Sequence, residues 1–197
     1  MATRQLTKDK VEAARGEIFH MILFAMAWVM IGEYAINFRD YVAAAIIVLV
    51  AVVILAFHSI SLYNLEDSLQ DHGSMAATRR RTVSSVASRY ALIFILEGVA
   101  IMATWIALIR TGHEKWLVPS FALIAGLHFL PLAAVIRVKS YYWLGAGITL
   151  FAILGFWLVA SGRIAQNAGD ALIAYACAAG AVIDGGWIAA RIKARTR

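Results

Sequence analysis

Trp116 to Ile136 reads W-L-V-P-S-F-A-L-I-A-G-L-H-F-L-P-L-A-A-V-I, a run with no Asp, Glu, Lys or Arg. At ~1.5 Å of rise per residue a helix of this length crosses the ~30 Å hydrocarbon core of a bilayer. Its middle, L-I-A-G-L-H-F-L-P-L from Leu123 to Leu132, puts His128 and Pro131 three residues apart near the centre of that crossing. An imidazole and a proline there must both be accommodated by neighbouring helices, because hydrocarbon offers neither of them a hydrogen bond.

Similar runs recur on both sides of this one. The chain of 197 residues is 62% hydrophobic and 15% charged, against about 45–50% and about 25% in ordinary soluble domains. An all-α fold follows, a polytopic membrane bundle of six transmembrane helices at about 18–37, 42–63, 90–110, 116–136, 141–161 and 170–190. Residues 1–17 read as an interfacial helix, 64–89 as a cytoplasmic loop and 191–197 as a basic tail. The first apolar run is too long for a signal-peptide core and follows a charged leader, so no cleavable signal is expected. The single cysteine, Cys177, excludes an internal disulfide framework and a Cys-rich metal site. With the N-terminus inside, fourteen Lys and Arg fall on the cytoplasmic side and only Arg39, Arg110, Lys115 and Arg163 on the other. That asymmetry fits an even number of crossings with both termini cytoplasmic, in an inner membrane crossed several times. The net charge of +6 is thereby explained by topology, and no nucleic-acid partner is expected. Trp116, Tyr141, Tyr142 and Trp143 stand at span ends and suit an interfacial aromatic belt.

Titratable groups inside the apolar layer are costly and mark candidate sites. Counted along each helix, His58 lies ~8 Å, Asp184 ~9 Å, Glu97 ~10 Å and His128 ~12 Å from the cytoplasmic end of its span. The four form a candidate polar cavity or proton relay at one level. His20 sits nearer the cytoplasmic surface, where Glu17 can meet it at i, i+3, and Glu33 lies near the opposite face. Pro131 removes the N–H that would bond the Leu127 carbonyl, which predicts a helix kink beside His128. Glu97 and Thr104 share one face of span three. Each group also has a purely structural reading, as a neutral side chain hydrogen-bonded to an adjacent helix.

His58, Glu97, His128 and Asp184 are acceptable ligands for a metal ion, and His58 with His128 could hold haem, but no two ligands share a helix turn. Span six is rich in Ala and Gly from 171 to 186, which suits close helix packing and offers a surface for a homo-oligomer. Gly185 and Gly186 read as packing residues, and Cys177 as a small apolar one. His72 and His113 fall in loops.

The run G-L-H-F-L-P-L-A from Gly126 to Ala133, with the basic turn after it and Tyr141-Tyr142 opening the next span, resembles a pattern of small uncharacterised bacterial six-span membrane proteins. The resemblance covers spans four and five. It implies a bacterial inner-membrane protein and brings no activity or site residues. Three functions fit the residues. The first is a small transporter or channel-like protein that moves a small solute or protons across the lipid bilayer. The second is a metal- or haem-containing membrane enzyme, and the third an accessory subunit of a membrane complex.

Overall fold

The computed structural model describes residues 8–37, 50–57, 60, 76–136 and 138–194, and among them every regular element is helical. Helix α1 spans Lys8–Ala35, α2 Ala76–Arg110, α3 Leu117–Ile136, α4 Ser140–Ala160 and α5 Gln166–Ala194, with a 3-10 turn at Glu114–Trp116 before α3. All five helices are long and apolar enough to cross a membrane. Residues 50–57 are also helical; the remainder of the span expected at 42–63 lies outside the described residues.

Two boundaries differ from the sequence reading. From Lys8 on, the leader and the first span are one helix, because nothing between Lys8 and Ile18 breaks it; Gly16 meets no neighbouring atom and is tolerated within the turn. The segment expected as loop up to residue 89 is helical from Ala76 on, since Ala76 to Arg89 contains neither Gly nor Pro. Helix ends follow turn chemistry. At the end of α2, His113 N–H donates to Leu108 O and Gly112 N–H to Ile109 O. The end of α4 repeats the pattern with Arg163 to Leu158 and Gly162 to Val159. This paired closure needs a left-handed residue, and Gly112 and Gly162 both supply φ of 69°. Asn37, at φ 54°, takes the corresponding place after α1.

The core seam joins α1 to α5. Val11, Ala14, Ile18, Met21, Ala25 and Trp28 are buried, a three-and-four spacing that keeps one stripe turned toward a partner helix. Ala174, Ala178, Ala181, Ile188 and Ile192 answer from α5. Gly32 lies against Tyr175, while Gly185 lies against Met21 and Leu55. The two helices are therefore antiparallel, and Gly185 is a packing residue as its neighbours suggest. Hydrophobic transfer does not drive such contacts within lipid, so close backbone approach and dispersion must. Much of the small-residue surface of α5 is thus occupied inside the chain.

Helices α2, α3, α4 and α5 follow as successive antiparallel neighbours. Glu97 on α2 meets His128 on α3. Gly126 and Gly145 face each other between α3 and α4, and Gly155 lies against Ile173 between α4 and α5. Helix α2 is the outermost: almost none of its Arg89–Arg110 span is buried. One partly covered stripe, including Tyr90, Phe94, Glu97, Ile101 and Thr104, matches the polar face expected for Glu97 and Thr104.

Tyr90 lies within electrostatic range of Glu17, and Phe94 packs on His20 with ring centroids 5.1 Å apart. The first turns of both membrane segments, in α1 and in α2, therefore lie at the same end of the bundle, and the two helices run parallel. That end, the basic end, also carries Lys139 and Arg191.

Candidate functional site

Glu97 and His128 are brought together: His128 Nδ1 stands 3.1 Å from Glu97 Oε1, with side chains 5% and 12% exposed respectively. The alignment is that of a charge contact and not of a linear hydrogen bond, and neither imidazole nitrogen has a hydrogen-bond partner among the described residues. Their similar depth along the two spans is what allows them to meet. Helix α2 delivers Glu97 on its one covered stripe. Helix α3 holds His128 beside Phe129, whose buried ring fixes that face against α1 and α4 through Phe24 and Tyr141, at 5.4 Å each.

His20 completes this group from α1. It lies within electrostatic range of both His128 and Glu97, and its Nε2 is buried without a hydrogen-bond partner among the described residues. Phe94 packs between the imidazoles, 5.1 Å from His20 and 5.6 Å from His128 by ring centroids. Two imidazoles and one carboxyl thus lie near one another among aromatic rings.

Asp184 does not join them. Its electrostatic neighbours are Glu17 on α1, Tyr141 and Ser140 at the start of α4, and Arg191 about two turns further along α5. Asp184 is 6% exposed and its Oδ2 is unpartnered; Ser140 Oγ, beside it, is likewise buried without an aligned partner among the described residues. Tyr141 is 0% exposed, which corrects its expected place in an aromatic belt: its ring packs on Phe129 and only Tyr142 and Trp143 face outward. Position along the chain puts Tyr141 at a span end, but the α3–α4 crossing rotates it inward. Tyr141 and Tyr90 both lie in electrostatic range of Glu17, and Tyr90 also of Glu97. Glu17 and the two tyrosines therefore stand between the Asp184 group and the Glu97–His128–His20 group. The i, i+3 spacing pairs Glu17 with His20 along one helix, but nothing in the sequence signals the two tyrosines.

His58 lies outside the described residues, as does His72, and His113 is exposed. Helix α3 continues through Pro131, whose ring is exposed while His128 is buried; the proline is on the outward side of the helix. Among the described residues no three His, Cys, Asp or Glu side chains are grouped to hold a metal ion. Glu97 and His128 supply two candidate ligands, and Asp184 is not positioned as a third. Cys177 is buried and free.

At the other end of the α1–α5 seam, Tyr175 Oη donates to Glu33 Oε1 at 2.6 Å. Glu33 is 3% exposed, and its second oxygen has no partner among the described residues. This is the arrangement of a structural carboxyl held by a neighbouring helix, and it sits apart from the groups at the basic end.

A groove of about 540 Å³ opens between α4 and α5, with Ser140, Asp184, Lys139 and Arg191 at its basic end. One end of the titratable series therefore reaches an accessible surface. No family model, curated protein or solved structure matches the chain.

Proposed function

We propose that the chain is a six-span inner-membrane protein that relays protons through the buried groups at its basic end, serving a small proton-coupled transporter or a channel-like protein. The observation that carries this reading is the Glu97–His128 contact at 3.1 Å inside the apolar layer, with His20 beside it. A carboxyl and an imidazole at that separation can exchange a proton once a small side-chain rotation aligns them, and His20, across the Phe94 ring, can receive it when that ring swings aside to admit water. Glu17, Tyr90 and Tyr141 extend the series toward Asp184, whose groove gives access from outside the bundle.

Topology supports six crossings. Helices α1 and α2 run in the same direction, so the chain between them returns from the far end of α1 to the basic end. The apolar residues 42–63 are long enough for that return, and Leu55 among them packs on Gly185 near the basic end. With α1 and α5 antiparallel, the start of α1 and the end of α5 fall at one end of the bundle, and the excess of Lys and Arg expected there supports reading that end as cytoplasmic.

The test is proton flux into liposomes containing the purified chain, followed with an internal pH-sensitive dye under an imposed potential. Glu97→Gln, His128→Gln and Asp184→Asn are expected to reduce flux to the level of protein-free vesicles, and Glu97→Asp to retain part of it. Intact folding of each variant is checked by its detergent unfolding midpoint. Unchanged flux in folded Glu97→Gln and His128→Gln variants, or no flux with the unaltered chain, overturns the proposal.

A further inference from the structure

The groove between α4 and α5 has a polar head and an apolar tail. Its head is built from Lys139 and Arg191, both exposed, over Ser140 and the buried carboxyl of Asp184. Arg191 is held in place with its guanidinium 4.9 Å from the Trp187 ring. Lys139 occupies the N-cap of α4 and no side chain caps that helix, so the positive end of the helix dipole adds to the two cations. From Ser140 to Phe151 the groove continues along α4, a length of ~16 Å at 1.5 Å per residue, about half the hydrocarbon thickness. Glycine keeps its floor low: a Cβ at Gly147 would meet nothing within 4 Å, and one at Gly180 would crowd Leu144 Cδ1 at 3.0 Å. Trp143 and Ile183, at 81% and 71% exposed, form its outer lips.

We infer that this groove is a binding site for one anionic glycerophospholipid of the phosphatidylglycerol class, with its phosphate between Lys139 and Arg191 and an acyl chain over Gly147 and Gly180. Charge complementarity selects the head group. Lys139 and Arg191 present two exposed positive charges to a phosphodiester. They are the exposed polar groups of this head, while the Ser140 hydroxyl and the Asp184 carboxyl lie buried beneath them. A choline or ethanolamine head carries no net charge for the two cations to select. Basic pockets between helices at a membrane surface suit acidic lipid heads. The site shares Asp184 and the groove with the proposed relay but not the Glu97–His128 pair, so lipid retention and proton flux are read separately and can fail separately.

Native mass spectrometry of the full chain, released from nanodiscs of mixed phosphatidylglycerol, phosphatidylethanolamine and phosphatidylcholine, reads which lipid is retained. One phosphatidylglycerol per chain is expected. Lys139→Gln with Arg191→Gln should weaken its retention by about 30-fold, from roughly fivefold for each basic residue near the surface. Gly147→Leu, which fills the groove without its Cβ meeting a protein atom, should abolish retention without lowering the unfolding midpoint. Equal retention of phosphatidylcholine, a preference for phosphatidylethanolamine, or undiminished binding in folded Gly147→Leu each overturns the assignment.

Discussion

Gly145 and Gly147 lie two residues apart on α4 and are predicted to respond to the same substitution with opposite signs. A Cβ at Gly145 would stand 2.7 Å from Gly126 O and 2.9 Å from Phe129 Cβ, whereas at Gly147 it would meet nothing within 4 Å. Reaching ordinary contact at 3.4 Å requires α3 to retreat by about 0.7 Å, and its backbone cannot yield locally as a side-chain tip would. Alanine in a helix interior gains about 0.5–1 kcal/mol over glycine, and overpacking of a filled interface costs about 1–3 kcal/mol. Gly147→Ala should therefore stabilise by about 0.5–1 kcal/mol, and Gly145→Ala should lie about 1–3 kcal/mol below it, because the propensity term cancels between them. Reversible unfolding in mixed detergent micelles, followed by circular dichroism, measures both. Gly145→Ala also displaces Phe129 and with it His128, so its proton flux should fall even where the protein remains folded. Indistinguishable unfolding midpoints for the two variants would refute the close α3–α4 crossing.

Two further outcomes follow from the helix contacts. Tyr175→Phe removes the donor to a buried Glu33 carboxyl and should cost about 1–3 kcal/mol in the same unfolding assay; a loss below a few tenths would show that Glu33 finds its donors elsewhere. In a Cys177→Ser background, single cysteines at His113 and Asn167, both exposed, should react with an impermeant maleimide from one face of oriented vesicles. A cysteine at Lys139 should react only from the other, and any exchange between these faces would break the antiparallel order of α2 to α5.

The sequence carried the spans and the depths of their polar groups, because hydropathy and rise per residue act along a helix axis. Spans 116–136 and 141–161 differ from α3 and α4 by one residue at most at each end, and Glu97 and His128, placed at similar depth, do meet. Rotation about the axis was not legible. Asp184, counted at a similar depth, instead faces Glu17 and Tyr141, since the α1–α5 seam turns it toward α1. The same rotation buries Tyr141, which by position alone belongs at an interface. Glu17 was legible as a charged residue at a membrane boundary, but its companions from α2 and α4 are set by packing between helices far apart in sequence.

Helix α1 is the element on which both titratable groups depend. His20 faces Glu97 and His128, and Glu17, one turn earlier, faces Asp184 and Tyr141. Residues three apart lie on one helical face, so a rotation or shift of α1 moves both partners together. The α1–α5 seam resists such movement through Gly32 against Tyr175 and Met21 against Gly185, contacts that leave space for no larger residue without displacing a neighbour. The Glu33–Tyr175 hydrogen bond fixes the far end of that seam. If α1 moves as a rigid rod, loosening it at Glu33 shifts His20 relative to His128 and so disturbs the proposed relay. Tyr175→Phe should consequently lower proton flux as well as stability. A purely local role for Glu33 predicts the stability loss alone.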